Sequence, residues 1–221
     1  MDKLKKMGTA QNRKVYSRHG TGEKLFGVSF ANLNLLKKQI KTDPNLAQEL
    51  WNSGNVDARH LATMIADPQE FSEELAESWV KDLNYYMLCD LLAGVVGKTR
   101  FARKKAEEWS KSDNEWTGRT GWDLIGFLAM YDQSLPDEYF QKYLDVIEKK
   151  VRHSKNFTKH SMGMAVIAIG LRNPSLEKSA VAAARRIGKI EVDHGQTSCQ
   201  TPDIIDYIQK AKKRKKSAKK K

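Results

Sequence analysis

The sequence is poor in cysteine, with Cys89 and Cys199 as its two thiols. Two thiols are too few for a disulfide framework or for a zinc site with four cysteine ligands. Cys89 lies in an apolar run, and Cys199 follows His194, but one His and one Cys are too few ligands for a closed zinc site. We therefore expect no disulfide, no metal site, and an inert core thiol at Cys89.

Long apolar segments are also missing. No stretch approaches the roughly 20 apolar residues that span a bilayer. The N-terminal residues Met1-Asp2-Lys3-Leu4-Lys5-Lys6 lack the apolar region of a signal peptide. These absences predict an intracellular protein without membrane contact, cytoplasmic and nucleoid-associated in a bacterium or nuclear in a eukaryote.

Familiar catalytic motifs are absent as well. The sequence has no glycine-rich phosphate loop, no H-E-x-x-H metal motif and no nucleophile elbow. Pairs of acidic residues occur on the predicted solvent-facing sides of helices, where charge is ordinary. A nucleotide-dependent or metal-dependent enzyme is therefore disfavoured, and we expect no small-molecule cofactor.

Negative charge is scarce at the C-terminus. The formal net charge is +12, and the segment from Lys210 onward has nine Lys and Arg residues without an acid, which leaves about +3 for the rest. Residues 212–221 should not pack and are expected to be disordered. Such a tail favours nucleic acid through counterion release. A solubility tail or an anchor to any anionic surface is the alternative.

Apolar residues recur at three- and four-residue spacing, which predicts an all-α protein. All five prolines fall where helices should begin or be separated. Predicted helices cover 28–41, 44–53, 56–66, 69–81, 85–97, 100–111, 115–131, 137–151, 157–171, 175–188 and 203–214, with a loop at 189–201. The expected organisation is a flexible basic leader at 1–22, a helical domain at 23–200, and a C-terminal helix with its tail at 201–221.

A degenerate repeat underlies the helical pattern. Three times a predicted helix ends in Trp and a short polar gap leads to Asn, a preferred N-cap residue. The pairs are Trp51 and Asn55, Trp79 and Asn84, and Trp109 and Asn114, with a fourth copy from Val151 to Asn156. Helix pairs at this period predict a HEAT-like superhelix, an α-solenoid whose second helices line a concave face. An irregular helical bundle is the alternative. We expect the tryptophans to pack the repeats together.

Asp90 is the candidate catalytic residue. It is the one charged side chain in the apolar run from Tyr85 to Val96. An ionised carboxylate in such surroundings needs a partner, a ligand or a groove that admits water. Helical spacing places Tyr86, Asp90 and Gly94 on one line, which predicts a polar notch in an apolar helix.

Several basic residues are candidate phosphate ligands. Arg119 lies at nearly the same position in its repeat as Asp90 does, so the two could form a salt bridge or act separately, Arg119 then holding a phosphate. The remaining candidates for DNA phosphates are Arg59, His60, Lys159 and His160. Met164 fits ordinary core packing on its pattern alone.

The chain resembles the AlkD-like DNA alkylation repair enzymes, which are HEAT-repeat DNA glycosylases. The resemblance covers roughly Gly27 to Gly188 and depends on the order and spacing of short pieces. These are Gly27-Val28, Leu50-Trp51, Asp57-Ala58-Arg59, Trp79-Val80, Tyr85-Tyr86-x-x-x-Asp90, Ser112-Asp113-Asn114-x-Trp116-x-x-Arg119 and Ala165 to Gly170.

The resemblance implies a protein that holds duplex DNA and excises positively charged N3- or N7-alkylated purines. Asp90 matches the family's catalytic aspartate, and Arg119 matches its phosphate-holding arginine. The family lines its lesion site with two tryptophans, and here those positions carry Tyr86 and Met164. Tyrosine retains an aromatic face for a cationic base and methionine does not, so slower excision is expected.

Three functions follow as hypotheses. The first is a DNA glycosylase for alkylated purines, and the second is a DNA-structure- or damage-binding protein without catalysis. The third is a protein-binding helical scaffold. Double-stranded DNA is the expected partner, and the protein is expected to work as a monomer.

Overall fold

The computed structural model describes residues 1–218, and the predicted tail residues 219–221 lie outside them. The described residues form helices and no β-strand, which confirms the all-α prediction. The helices are α1 (Asp2–Met7), α2 (Ala10–Arg18), α3 (Phe30–Ile40), α4 (Pro44–Asn52), α5 (Val56–Ile65), α6 (Glu73–Lys81), α7 (Tyr86–Val96), α8 (Ala102–Trp109), α9 (Glu115–Tyr131), α10 (Asp137–Lys150), α11 (Asn156–Arg172), α12 (Pro174–Ile187) and α13 (Ile204–Ala218). A short 3-10 helix, Val151–His153, follows α10.

Contacts divide the chain into two compact units. The first unit contains Met1–Phe101 with His194–Ser198, and the second contains Ala102–Asp193 with the described residues from Cys199 onward. The second unit therefore begins at α8.

Local sequence signals set most helix starts. Asp43 caps α4 and Asn173 caps α12, each by accepting a backbone N–H, and each is followed by a proline at the first helical position. Asn55 and Asn114 cap α5 and α9 as expected.

Two of the predicted asparagine caps are wrong. Helix α7 begins after Tyr85, which has no side-chain capping bond, so Asn84 lies before the cap position. Asn156 is the first residue of α11 rather than its cap. Its amide instead pairs with the backbone of Asp193, at 2.7 Å from Nδ2 to the carbonyl and 2.8 Å from the Asp193 N–H to Oδ1. Asn156 thus anchors the segment after α12.

The N-terminal segment, expected to be a flexible leader, is helical and packs in the first unit. Leu4 is buried, the Thr9 N–H donates to the Gly27 carbonyl at 3.0 Å, and the Tyr16 hydroxyl donates to the Val28 carbonyl at 3.0 Å. Gly27 has φ +80°, and a Cβ there would lie 2.5 Å from the Thr9 carbonyl oxygen. A glycine is therefore needed where the segment docks.

A buried carboxylate fixes the segment around Gly27, against which the N-terminal helices pack. Asp57, on α5, accepts backbone N–H bonds from Phe26, Gly27 and Val28 at 2.6 to 3.0 Å. Three donors compensate the charge of a fully buried Asp57. The bonds explain how a stretch without regular structure is fixed against α5.

The first unit also contains a stacked tryptophan pair. Trp51 at the end of α4 and Trp79 on α6 are buried, with ring centroids 4.0 Å apart and planes 4° from parallel. The pair supports the prediction that these tryptophans pack successive repeats together.

Helices α9 and α11 form the centre of the second unit. The Phe157 N–H donates to the Glu115 carboxylate at 2.7 Å, and the Thr158 hydroxyl donates to the Glu115 carbonyl at 3.0 Å. Gly121 lets α9 approach the end of α8, since a Cβ there would lie 2.1 Å from the Ser110 nitrogen.

The C-terminal helix extends further than predicted. It runs to Ala218 rather than residue 214, so residues 212–218 are helical and not a disordered tail. Ile208 is buried against Gly170 of α11, and Lys212 donates to the Glu177 carboxylate at 2.5 Å. These contacts place the start of the basic segment on the second unit.

Candidate functional site

Asp90 lies on the solvent-facing side of α7. Asp90 is exposed, whereas Cys89, the preceding residue, is fully buried. Tyr86 and Gly94, one turn before and after, are partly exposed, and a Cβ added to Gly94 would meet nothing within 4 Å. The predicted line of Tyr86, Asp90 and Gly94 is therefore an accessible face, and hydration remains available to the carboxylate.

Tyr86 is held by a residue that sequence reasoning missed. The Tyr86 hydroxyl oxygen lies 2.6 Å from Nδ1 of His19, and the two rings meet edge to face with centroids 5.9 Å apart. His19 is the C-cap of α2. A 67-residue separation from Tyr86 leaves no local pattern that could have predicted this pairing.

Arg59, a predicted phosphate ligand, is engaged inside the first unit. Its Nε donates to the Trp51 carbonyl at 3.2 Å, and its Nη atoms donate to the carbonyl and carboxylate of Asp82 at 3.0 and 2.9 Å. The guanidinium also lies 5.0 Å from the Trp51 ring centroid. Arg59 therefore joins the ends of α4, α5 and α6.

His60, another predicted phosphate ligand, lies in the core, which corrects that expectation. It is 1% exposed, its Nε2 pairs with the Tyr85 hydroxyl, and its ring stacks on Phe30. Burial lowers the pKa of His60 to about 4, so the imidazole is neutral at pH 7. A neutral, enclosed imidazole is not available to a phosphate.

Arg119 is buried in the second unit, with 3% of its side chain exposed. Its Nη1 donates to the Phe157 carbonyl at 3.2 Å and lies 3.4 Å from Nδ1 of His160, while Nε is 3.6 Å from the Asp123 carboxylate. The predicted phosphate ligand thus joins α9 to α11 and is not presented to solvent.

The other candidates in the second unit are partly exposed on α11. They are Lys159, His160 and Met164. His160 faces Arg119, and the neighbouring Ser161 hydroxyl donates to the Asp123 carboxylate. At the start of α9 and α11, the partly exposed rings of Trp116 and Phe157 are stacked, with their centroids 5.3 Å apart.

The predicted site residues therefore fall in both units. Tyr86, Asp90, Arg59 and His60 belong to the first, and Arg119, Lys159, His160 and Met164 belong to the second. Within residues 1–218, no three His, Cys, Asp or Glu side chains gather in a way that could hold a metal ion. The same residues contain no helix long and apolar enough to cross a membrane.

Two similar proteins come from Listeria species. The uncharacterised protein Lin0241 of Listeria innocua is 29% identical over 207 residues, covering 91% of this chain and 90% of that protein. The uncharacterised protein Lmo0209 of Listeria monocytogenes is 29% identical over 209 residues, covering 92% and 91%.

A solved structure defines the fold class. It is 28% identical, has a TM-score of 0.89, and covers 97% of this chain and 92% of that one. Its protein is described as one of a new family related to the HEAT-like repeat DNA glycosylases with affinity for branched DNA structures. The fold is thus the HEAT-like helical repeat that the tryptophan and asparagine spacing predicted.

The family follows from the sequence itself. The model of the DNA alkylation repair enzyme family matches residues 1–202, and the chain belongs to that family. The resemblance stated from Tyr86, Asp90 and Arg119 is therefore confirmed at the level of the family.

Proposed function

We propose that this protein binds DNA and prefers branched DNA to a linear duplex. The observation that carries the proposal is the likeness, at TM-score 0.89 and 28% identity, to a protein described as related to the HEAT-like repeat DNA glycosylases with affinity for branched DNA structures. Family membership agrees with a DNA substrate.

The charge distribution supports a polyanionic partner. Helices α1 and α2 carry six exposed cations and one acid, and the chain from Lys210 onward adds nine cations. The six are Lys3, Lys5, Lys6, Arg13, Lys14 and Arg18. Lys and Arg that neutralise phosphates release counterions, which gives affinity without base contacts. Converging arms of a branch place more phosphates within reach of such surfaces than one duplex does.

The internal contacts of Arg59, His60 and Arg119 also favour binding to branched DNA. Three of the residues expected to grip the duplex backbone have their side chains engaged within the protein. Recognition that depends on exposed lysines suits the overall arrangement of phosphates rather than one fixed backbone contact.

Excision of alkylated purines is the second candidate function, favoured by the exposure of Asp90. Cleavage of an N-glycosidic bond develops positive charge on the deoxyribose, and a carboxylate fixed on a rigid helix stabilises that charge. Tyr86 offers an aromatic face to a cationic base, and His19 fixes its hydroxyl. Met164 offers no such face, so slow excision is expected.

A binding competition tests the principal proposal. Fluorescence anisotropy compares a four-way junction with a linear duplex of equal nucleotide number at 50 and 200 mM salt. We expect about tenfold tighter binding to the junction and a steep loss of affinity for both with salt. Equal affinity for the two DNAs would refute the preference, and failure to bind either would refute the function.

A charge variant locates the electrostatic contribution. Replacing the seven Lys and Arg residues from Lys213 to Lys221 by Gln leaves the Lys212–Glu177 pair in place. The salt dependence should become shallower for both DNAs, while the ratio of their affinities stays the same. A second variant with Gln at Lys3, Lys5 and Lys6 tests whether the N-terminal cations contribute as well, and its three lost charges should flatten the salt dependence less than the seven lost from the C-terminus.

A further inference from the structure

A cavity in the second unit has no assigned role. Its volume is about 230 Å³, and it lies where the 3-10 helix, α11 and the end of α12 meet. The lining consists of Val151, Arg152, Lys159, Ile187, Lys189, Ile190 and Glu191. None of these residues lies on the face of Tyr86, Asp90 and Gly94 or belongs to the group of Arg119, Asp123, Phe157 and His160.

The cavity combines an apolar floor with a cationic rim. Val151, Ile187 and Ile190 are buried, whereas Arg152 and Lys189 are exposed and Lys159 is partly exposed. Three cations face one carboxylate, that of Glu191, which lies 3.6 Å from the Lys189 ammonium. The pair is more than 80% exposed on both sides, so solvent screens it and leaves Lys189 available to an anion.

The walls of the cavity are fixed by specific contacts. Arg152 Nη2 donates to the Ile187 carbonyl at 3.2 Å and so satisfies one of the last carbonyls of α12. Gly188, with φ +70°, then turns the chain. Beyond the turn, the Asn156 amide anchors the backbone at Asp193. The segment carrying Lys189 and Ile190 is thus tethered at both ends.

Ile190 completes the floor by entering the space that Gly163 leaves open. A Cβ on Gly163 would lie 3.0 Å from Cδ1 of Ile190. The apolar floor is therefore built from residues in three separate stretches of the second unit, which makes it a shaped surface rather than a gap between mobile side chains.

We propose that this cavity binds a nucleoside monophosphate, with the phosphate on the rim and the base or sugar on the floor. Guanidinium and ammonium groups are the usual phosphate donors. At roughly 30 Å³ per water, the cavity of about 230 Å³ has room for about eight waters, more than a bare phosphate needs. The aliphatic side chains of Ile187 and Ile190 offer an apolar surface against which the flat base can pack.

Two sources could supply this chemistry: a free nucleotide, or the 5′-phosphorylated end of a DNA strand. The second source rests on the proposed DNA binding, and the first does not. Titrations with small molecules therefore test the cavity without DNA, and titrations with oligonucleotides distinguish the source.

Isothermal titration calorimetry with the full chain tests the cavity. The probes are deoxyadenosine monophosphate, inorganic phosphate and deoxyadenosine. We expect the monophosphate to bind most tightly, and Lys159→Gln and Lys189→Gln each to weaken it about fivefold. Lys178→Gln, on the same helix as Ile187 but roughly 13 Å along it, removes the same charge as a control and should change nothing.

Each outcome has a defined meaning. Absence of binding at millimolar monophosphate, equal affinity for inorganic phosphate, or equal losses in Lys178→Gln and Lys159→Gln would overturn the proposal. If a 5′-phosphorylated oligonucleotide binds more tightly than its 5′-hydroxyl form and Lys159→Gln removes the difference, the ligand is a strand end; without a difference it is the free nucleotide. If the protein binds DNA but not the monophosphate, the cavity proposal is refuted and the proposed DNA binding is not.

Discussion

The two units treat their key charged residues in opposite ways. In the first unit Asp90 is exposed on α7, although its sequence neighbours are apolar. In the second unit Arg119 is buried on α9, although Trp116 and Asp123 on the same helix are partly exposed. Sequence spacing assigned the two residues nearly the same position in their repeats. The difference shows that packing partners, rather than position in the repeat, decide which charge meets solvent.

The physical reason lies in what faces each helix. The turn of α7 that carries Asp90 ends at Gly94, beside which there is open space. Helix α9 is instead enclosed by α8 and α11, and the Phe157 carbonyl, His160 and Asp123 surround the Arg119 guanidinium. An accessible carboxylate suits chemistry, whereas an enclosed guanidinium suits structure.

The largest expected effect comes from Asp90→Asn in an assay for base release. If Asp90 stabilises charge on the deoxyribose, release of 7-methylguanine or 3-methyladenine from methylated DNA should fall by about 10²- to 10³-fold, with DNA affinity nearly unchanged. Glu70→Gln, at another exposed acid of the first unit, is the control. Equal release by wild type and the Asn variant would remove excision from the candidate functions.

The matching change in the second unit should act on folding. Arg119→Met removes the guanidinium from between Asp123, His160 and the Phe157 carbonyl. Because the Asp123 carboxylate, whose side chain is 14% exposed, then loses its cation, the free energy of unfolding should fall by roughly 3 kcal/mol, measured by urea denaturation. Exposed Arg103→Met on α8 controls for loss of an arginine. Unchanged stability with weakened DNA binding would instead show that Arg119 reaches a phosphate.

A pH-dependent effect of similar size distinguishes the two histidines that follow Arg59 and Lys159. The pKa of buried His60 falls from 6.5 to about 4, so its contribution to stability is complete above pH 6.5 and is lost as pH falls toward 4. Across that window the loss should approach about 3 kcal/mol. His60→Gln should flatten the pH dependence of the melting temperature, whereas His160→Gln, at a partly exposed position, should not. Parallel curves for wild type and His60→Gln would contradict this.

Much of the fold could be predicted from local sequence patterns. Proline and polar caps predicted most helix starts, because the signals for Asp43-Pro44 and Asn173-Pro174 are confined to a few residues. Asn84 and Asn156 failed as caps because an asparagine can equally precede a helix or bond to a distant backbone. The N-terminal helices were missed because their stabilisation comes from Asp57, Gly27 and Val28, far along the chain.

The candidate site could be predicted only in part from the sequence. Helical spacing correctly placed Tyr86, Asp90 and Gly94 on one face. It could not distinguish Arg59, His60 and Arg119, whose partners lie within the protein, from surface residues that reach a phosphate. Exposure depends on tertiary packing, and the residue type alone carries little information about it.

The stacked indoles of Trp51 and Trp79 have a spectroscopic consequence. Two nearly parallel chromophores 4.0 Å apart couple their electronic transitions, so the far-ultraviolet circular dichroism should contain a contribution that depends on their geometry. Both belong to the first unit, which gives that half of the chain an intrinsic optical signature. Comparing the temperature at which this signal is lost with the temperature at which the helices melt would show whether the two units unfold together.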